Sequence, residues 1–180
     1  PGGERAGIGL SLGCHGGGFT GNGERRLDSE VKITVLPTAE VIVETAAVDM
    51  GQGPATTLVQ IVAEGLGHPL ELVRAPPPDT SRAPNSGPTV ASRTIFIVGG
   101  ILRDLCPRIL SELGTGSLSG FVAGHPASFP REWRARYRPP EGAGFDEERY
   151  AGMAYGDYSW IACVSEIRVD PTTWRIVPWR

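Results

Sequence analysis

Residues 6–12, Ala-Gly-Ile-Gly-Leu-Ser-Leu, alternate small and apolar side chains, as a strand packed closely on other backbone would. Between Glu30 and Leu36, Val31, Ile33 and Val35 alternate with polar residues, and Val41 and Val43 resume that period after Pro37-Thr38, which predicts a β-hairpin with one buried face. The period then changes. Leu58, Ile61, Val62 and Leu66 recur at helical spacing, with Pro54 at the first helical position and Gly67 followed by Pro69 as the stop. Leu70 to Val73 reads as a short strand, and Ala75 to Pro88 as a loop rich in Pro, Asp, Ser and Asn. A second helix is predicted from about Thr89–Ser92 to Leu113, with Ile95, Val98, Leu102, Leu105, Ile109 and Leu113 as its apolar stripe. Gly99-Gly100 weaken it, and Pro107 should kink or break it. Residues 114–152 lack periodicity and predict a long connection or mobile segment. Tyr158 to Val169 closes the chain as a strand, with a turn at Asp170–Thr173 and a returning strand from Arg175.

Strand pairs and two principal helices make an α+β domain of layered hairpins or mixed sheet, here taken as one domain over residues 1–180, which the resemblance given below makes a partial one. The chain has 180 residues, 40% hydrophobic and 21% charged, which favours an ordinary globular protein over disorder. A net charge of −3 gives no footprint for nucleic acid or an anionic membrane. No apolar run approaches the roughly 20 residues that span a bilayer. The opening Pro-Gly-Gly-Glu-Arg reads as an internal start without a signal peptide. Cys14, Cys106 and Cys163 form no CxxC pair, so zinc and iron–sulfur sites are not encoded, and buried thiols in a reducing cytoplasm are expected. Lys32, the only lysine among 17 basic residues, is read as compositional bias.

Two segments share one design, a Gly- or Pro-containing loop leading into a helix N-terminus. In Asp49-Met50-Gly51-Gln52-Gly53-Pro54-Ala55-Thr56-Thr57 the glycines let backbone approach a ligand, and the Gln52 amide can donate and accept at once. Pro84-Asn85-Ser86-Gly87-Pro88-Thr89-Val90-Ala91-Ser92-Arg93-Thr94 offers hydroxyls and N–H groups where a helix dipole favours an anion. Both fit a large anionic cofactor with phosphate and heterocyclic parts. The residues alone leave open a plainer reading, in which Ser, Thr and Asn cap helices and glycines make turns.

Met50-Gly51-Gln52-Gly53 with Thr57, Gln60-Ile61-Val62-Ala63-Glu64 and Leu66-Gly67 resembles the signature of the large subunits of the molybdenum hydroxylases, the xanthine dehydrogenase/aldehyde oxidase family. So, in the same order, do Gly7–Leu10, His15–Gly21, Pro78–Thr80, Pro84–Thr94, Tyr158–Trp160 and Val164–Thr172. The resemblance spans most of the chain except about 114–152, and it implies a fragment, incomplete relative to the family. It implies a molybdenum–molybdopterin cofactor, usually the cytosine dinucleotide form, with Gly51, Gln52 and Gly53 contacting the pterin. Thr89, Ala91, Ser92 and Thr94 would wrap the pterin, with Ala91 near molybdenum through its backbone, and Phe19 and Thr20 would clamp a flat substrate. The implied reaction hydroxylates an aldehyde or N-heteroaromatic carbon with water-derived oxygen and passes electrons through 2Fe-2S clusters to FAD on partner chains or domains.

The family's catalytic glutamate would lie beyond Arg180, so none is expected here and the chain alone should not turn over. Gly21-Asn22-Gly23-Glu24 imitates its motif at the wrong end and reads as a loop glutamate beside a turn. Expected partners are the rest of the molybdenum subunit and the FAD and iron–sulfur subunits, with a small-molecule substrate. Open strand edges near Leu10 and Val177 also invite self-association. Alternatives are a non-catalytic structural or interaction remnant of that fold, and a small-anion-binding domain unrelated to molybdenum. Cys14 and His15 should point to opposite faces of a strand, against a thiol–imidazole pair. His68 and His125 read as solvated, the arginines of 131–138, with Trp133 and Tyr137 among them and Glu141, Asp146, Glu147 and Glu148 close behind, as a solvated or self-paired face rather than an RNA-binding patch, and Trp160, Trp174 and Trp179 as packing or subunit-contact residues.

Overall fold

The computed structural model describes residues 3–114, 116–141 and 144–178, with backbone alone at Val177 and Pro178; Trp179 and Arg180 lie outside the described residues. In chain order the elements are β1 (Arg5–Gly16), β2 (Glu30–Val35), β3 (Val41–Glu44), α1 (Pro54–Leu66), β4 (Val73–Arg74), α2 (Gly100–Leu113), α3 (Leu118–Gly124), β5 (Arg131–Arg136), β6 (Phe145–Asp146), β7 (Ala151–Gly152), β8 (Tyr158–Val169) and β9 (Ile176–Pro178). They divide into two units, one made of residues up to Gly16 with those from Asp157 onward, the other of Gly17–Gly156.

The first unit is an antiparallel sheet in the order β1-β8-β9. Its register pairs Leu10 with Val164, Leu12 with Ala162 and Cys14 with Trp160, so these side chains share one face. Gly7, Gly9 and Gly13 lie on the other face with Ile167, Ser165 and Ile161. Among the described residues no backbone packs closely on Gly7 or Gly9, where a Cβ would meet nothing within 4 Å. Ile8, Leu10, Leu12, Trp160 and Val164 are exposed, as is Trp174. Asp170 closes the β8–β9 turn, accepting the Thr172 N–H at 2.8 Å and the Thr173 hydroxyl at 2.7 Å.

The second unit holds the core. Its sheet runs β4-β3-β2-β5, with β3–β4 parallel and the other pairings antiparallel. Val31, Ile33, Val35, Val41, Val43 and Trp133 form an apolar face with Leu58, Val62 and Leu66 of α1 and Leu102, Leu105 and Ile109 of α2 in the same core. Each such side chain contributes about 1.5–3 kcal/mol by leaving water. Alternation predicts a hairpin with one buried face, yet central β2 is buried on both. Lys32 and Glu44, directly opposite each other, form a 2.8 Å ion pair on the second face, so the lone lysine has a structural role.

Helix α1 begins and ends at the expected signals, with Gly53 and Gly67 in left-handed conformations on either side. Gly65 is where α1 meets α2: a Cβ there would come within 2.9 Å of Cys106 Cβ and Sγ. Gly65→Ala is therefore expected to cost about 1–3 kcal/mol through overpacking, despite alanine's better helix propensity. A urea melt showing no loss of stability would mean that the helices separate freely at this point. Burial also pushes the Cys106 thiol up to about 11. Cys14 and Cys163 are exposed, against the expectation of buried thiols.

Several expectations change. The second helix starts later, after Arg93, as a wide π-helical stretch over Thr94–Gly99 that passes into α2 at Gly100. Pro107 sits inside α2 without ending it; both it and Arg103, whose carbonyl loses its partner, are exposed, so water can replace the missing bond. Leu70–Leu72 is a 3-10 turn, leaving only Val73–Arg74 as strand. The unperiodic stretch 114–152 contains α3 and the edge strand β5, so the described residues form three α-helices rather than two. Charges at Arg131, Glu132, Arg134 and Arg136 hid the alternation that turns Trp133 inward. Those arginines pair with Glu112, Glu30 and Asp28, which makes the self-paired face that the sequence predicts, with partners from α2, β2 and the residue pair before β2. His68 is buried rather than solvated, its Nε2 lying 2.9 Å from the Ala39 carbonyl oxygen, while exposed His125 stacks on Phe121 at 4.5 Å. Cys14 and His15 take opposite faces of β1, as read. No described helix is long and apolar enough to cross a membrane.

Candidate functional site

The exit of β3 and the loop before the π-helical turn are joined by hydroxyls. Ser86 Oγ, wholly buried, donates to the Glu30 carbonyl at 2.7 Å and accepts the Ala46 N–H at 2.9 Å. Three residues on, Thr89 Oγ1 accepts the Val48 N–H at 2.9 Å. These two bonds carry the chain into residues 48–53 alongside 86–92. There the Gln52 side chain closes its own loop, its Oε1 accepting the Met50 N–H at 2.6 Å and its Nε2 donating to the Val48 carbonyl at 2.9 Å. Asp49 Oδ1 accepts the N–H groups of Gly51 (2.8 Å) and Gly53 (3.3 Å). Both glycines have positive φ, 106° and 73°, which is why side-chain-bearing residues would be strained there.

The two loops line one open cavity of about 570 Å³, bounded by Met50, Gln52, Pro54, Thr57, Thr89, Val90, Ala91, Ser92, Thr94 and Ile95. Its lining holds no charged side chain. One amide and four hydroxyl-bearing residues stand among Met50, Pro54, Val90 and Ile95, a mixture suited to a flat polar heterocycle with apolar faces. The Gln52 amide keeps a second N–H and a second lone pair beyond its loop bonds, and the Thr89 hydroxyl keeps its proton to donate. Ala91 and Ser92 have φ of 52° and 50°, two successive left-handed residues without a glycine. The Ala91 carbonyl accepts the Gly18 N–H at 3.0 Å.

Gln52, Thr89, Ala91, Ser92 and Thr94, named from sequence, are thus brought together, with Gly51 and Gly53 shaping the Gln52 turn. Phe19 and Thr20 are elsewhere. Phe19 lines a narrow cavity of about 30 Å³ with Phe96, Phe145 and Tyr155, room for about one water. The Thr20 hydroxyl lies 2.7 Å from the Tyr155 hydroxyl. Glu24 is buried and ion-paired to Arg93 at 3.1 Å, in keeping with a turn glutamate. Among the described residues no group of three or more His, Cys, Asp or Glu side chains could hold a metal ion. Sequence reasoning gave no role to Ser86 or Arg93, although both stand inside the 84–94 run; a lone serine or arginine in a loop carries no burial signal. Met50, Val90 and Ile95 were also missed as cavity walls, since an apolar residue reads as core.

A family model described as molybdopterin cofactor-binding domain matches residues 2–116. The xanthine dehydrogenase of Oryza sativa subsp. japonica is 25% identical over 149 residues, covering 78% of this chain and 11% of its own length. That of Drosophila pseudoobscura pseudoobscura is 32% identical over 81 residues, 45% of this chain and 6% of its own length. Aldehyde oxidoreductase from Desulfovibrio gigas matches with a TM-score of 0.77 and 25% identity over 97% of this chain and 19% of that chain. CO dehydrogenase from Oligotropha carboxidovorans, with a TM-score of 0.73 and 19% identity over 98% of this chain and 25% of that one, shares the fold. The chain thus spans a small part of the curated relatives that it matches.

Proposed function

Because the chain belongs to the molybdopterin cofactor-binding domain family, we propose that its 48–57 and 84–95 segments hold the pterin of a molybdenum cofactor within a hydroxylase of the xanthine dehydrogenase/aldehyde oxidoreductase kind. The observation that carries this reading is the convergence of both loops on one uncharged cavity. The donor set fits the group. Gln52 can read a heterocycle edge, the hydroxyls of Thr89 and Thr94 can donate to its heteroatoms, and Ala91 can approach the metal through backbone. When bound, the cofactor supplies two-electron redox chemistry. The residues of this chain bind and orient it, while Met50, Val90 and Ile95 exclude water from its faces.

The cofactor is the cytosine dinucleotide form, and the substrate is an aldehyde or N-heteroaromatic compound hydroxylated with water-derived oxygen. Phe19 and Thr20 face that substrate, an assignment that rests on their motif alone. No residue of this chain is assigned as the catalytic base, since Glu24 is committed to Arg93. Electrons leave to 2Fe-2S and FAD on partner chains or domains. Exposed Ile8, Leu10, Leu12, Trp160 and Val164 are assigned to contact with the rest of a molybdenum subunit. Relatives several times longer than this chain support that assignment.

The test is molybdenum and CMP analysis of the chain, purified alone and together with the products of neighbouring genes. Molybdenum and CMP are expected in equal amounts in the complex. Their absence from both preparations would leave a family fold acting as a structural or interaction module.

A further inference from the structure

Arg93 follows the two left-handed residues of the cavity wall and is 1% exposed. Its guanidinium has five N–H groups, and each finds an acceptor. Nε donates to the Glu24 carboxylate at 3.1 and 3.2 Å, and Nη2 to Glu24 Oε2 at 3.1 Å and to the Ser29 hydroxyl. Nη1 donates to the carbonyls of Ser86 (2.8 Å) and Pro88 (3.0 Å), so one side chain gathers up the loop that leads to Ala91. Glu24 also accepts the Phe19 N–H at 3.0 Å, beside the Gly18 N–H that holds the Ala91 carbonyl. The glycines leave the room required: a Cβ at Gly87 would come within 2.8 Å of Arg93 Nη1, and one at Gly18 within 3.1 Å of Glu24 Oε1.

Left-handed backbone is unfavourable for alanine and serine, and two in succession need outside support. The support here is attached on both sides, at the Ala91 carbonyl and at the side chain of Arg93. Resting on the cofactor reading above, we infer that Arg93 and Glu24 are positioning residues, which hold the Ala91–Ser92 backbone in its left-handed form against the pterin. A buried counterion alone could be a lysine. Spanning two loop carbonyls, a hydroxyl and a carboxylate takes a planar fork, which lysine lacks.

The experiment compares the assembled wild-type enzyme with Arg93→Lys, Glu24→Gln and, as a destabilised control away from the cavity, Glu44→Ala. Molybdenum per protein, thermal melting and amide exchange over residues 89–93 are measured on each. Arg93→Lys is expected to retain a cooperative melt, lose molybdenum at least fivefold and exchange at least tenfold faster at 89–93. Glu44→Ala is expected to melt earlier while keeping its molybdenum. Should Arg93→Lys fail to fold, Glu24→Gln, which keeps the shape and an acceptor, carries the test. Wild-type molybdenum in these variants, or equal loss in Glu44→Ala, overturns the inference and leaves the cofactor reading standing. A wild-type assembly without molybdenum overturns both.

Discussion

Glu44→Ala is expected to cost about 3–5 kcal/mol of folding stability, the range for removing one partner of a buried ion pair. The pair lies on the second face of β2, where Glu44 accepts from Lys32 at 2.8 Å, from Arg82 at 2.9 Å and from Thr34 Oγ1 at 3.4 Å. Without Glu44, the buried Lys32 ammonium keeps, among the described residues, the ion pair with Glu132 at 3.6 Å, whose side chain is half exposed. The reverse deletion is milder. Lys32→Met leaves Glu44 its bond to Arg82, itself largely in solvent, and methionine fills the lysine stem's place. The combined variant Lys32→Met/Glu44→Leu removes both charges and is expected to recover most of the loss. For a chain of this length Glu44→Ala should lower Tm by on the order of 10 °C. Equal losses in the two single variants would show that Arg82 does not support Glu44.

Acid should act on the same group. Burial would raise the Glu44 carboxyl above its ordinary 4.5, but hydrogen bonds and charge from Lys32 and Arg82 outweigh it and hold it lower. Protonation is thus harder in the folded chain than in the unfolded one. The contribution is complete above the unfolded value and is lost as pH falls through the depressed folded one. Lys32→Met/Glu44→Leu should flatten this acid limb of a Tm-against-pH curve.

Sequence pattern made the strands and α1 legible because their side chains follow one clean period. Val31, Ile33 and Val35 alternate, and Leu58, Val62 and Leu66 repeat within a stop marked by Gly67. Strand β5 was hidden because its outward positions and one inward position are charged, so only Trp133 and Ala135 report the buried face. The π-helical start of the second helix was hidden for another reason: its apolar stripe is the same whichever turn is taken. At the cavity, Gln52, Thr89, Ala91, Ser92 and Thr94 were legible through ordered motifs, not through local chemistry, which caps and turns would explain equally well. Arg93 and Glu24 needed coordinates, since 69 residues separate the partners of that ion pair. Only burial distinguishes it from the surface arginine pairs of β5.

Gln52→Ala is expected to weaken cofactor binding in the assembled enzyme about tenfold, a difference of about 1.4 kcal/mol, and so to lower molybdenum per protein. Folding should change little. The two side-chain bonds that close the loop, to the Met50 N–H and the Val48 carbonyl, are in exposed positions where water replaces them, and a net bond there contributes about 1 kcal/mol or less. Cofactor binding has no such substitute, because the amide both shapes the turn between Gly51 and Gly53 and presents its spare donor and acceptor to the cavity. Gln52→Glu separates these roles. It keeps an acceptor for Met50, loses the donor to Val48 and adds a carboxylate to a lining that has no cation. An anionic cofactor should therefore be held more weakly by the glutamate variant than by the alanine one. Molybdenum at the wild-type ratio in Gln52→Ala, with an unchanged melt, would remove Gln52 from the site. Equal loss in both variants would keep it there as a neutral hydrogen-bonding group and place the cofactor's negative charge away from this loop.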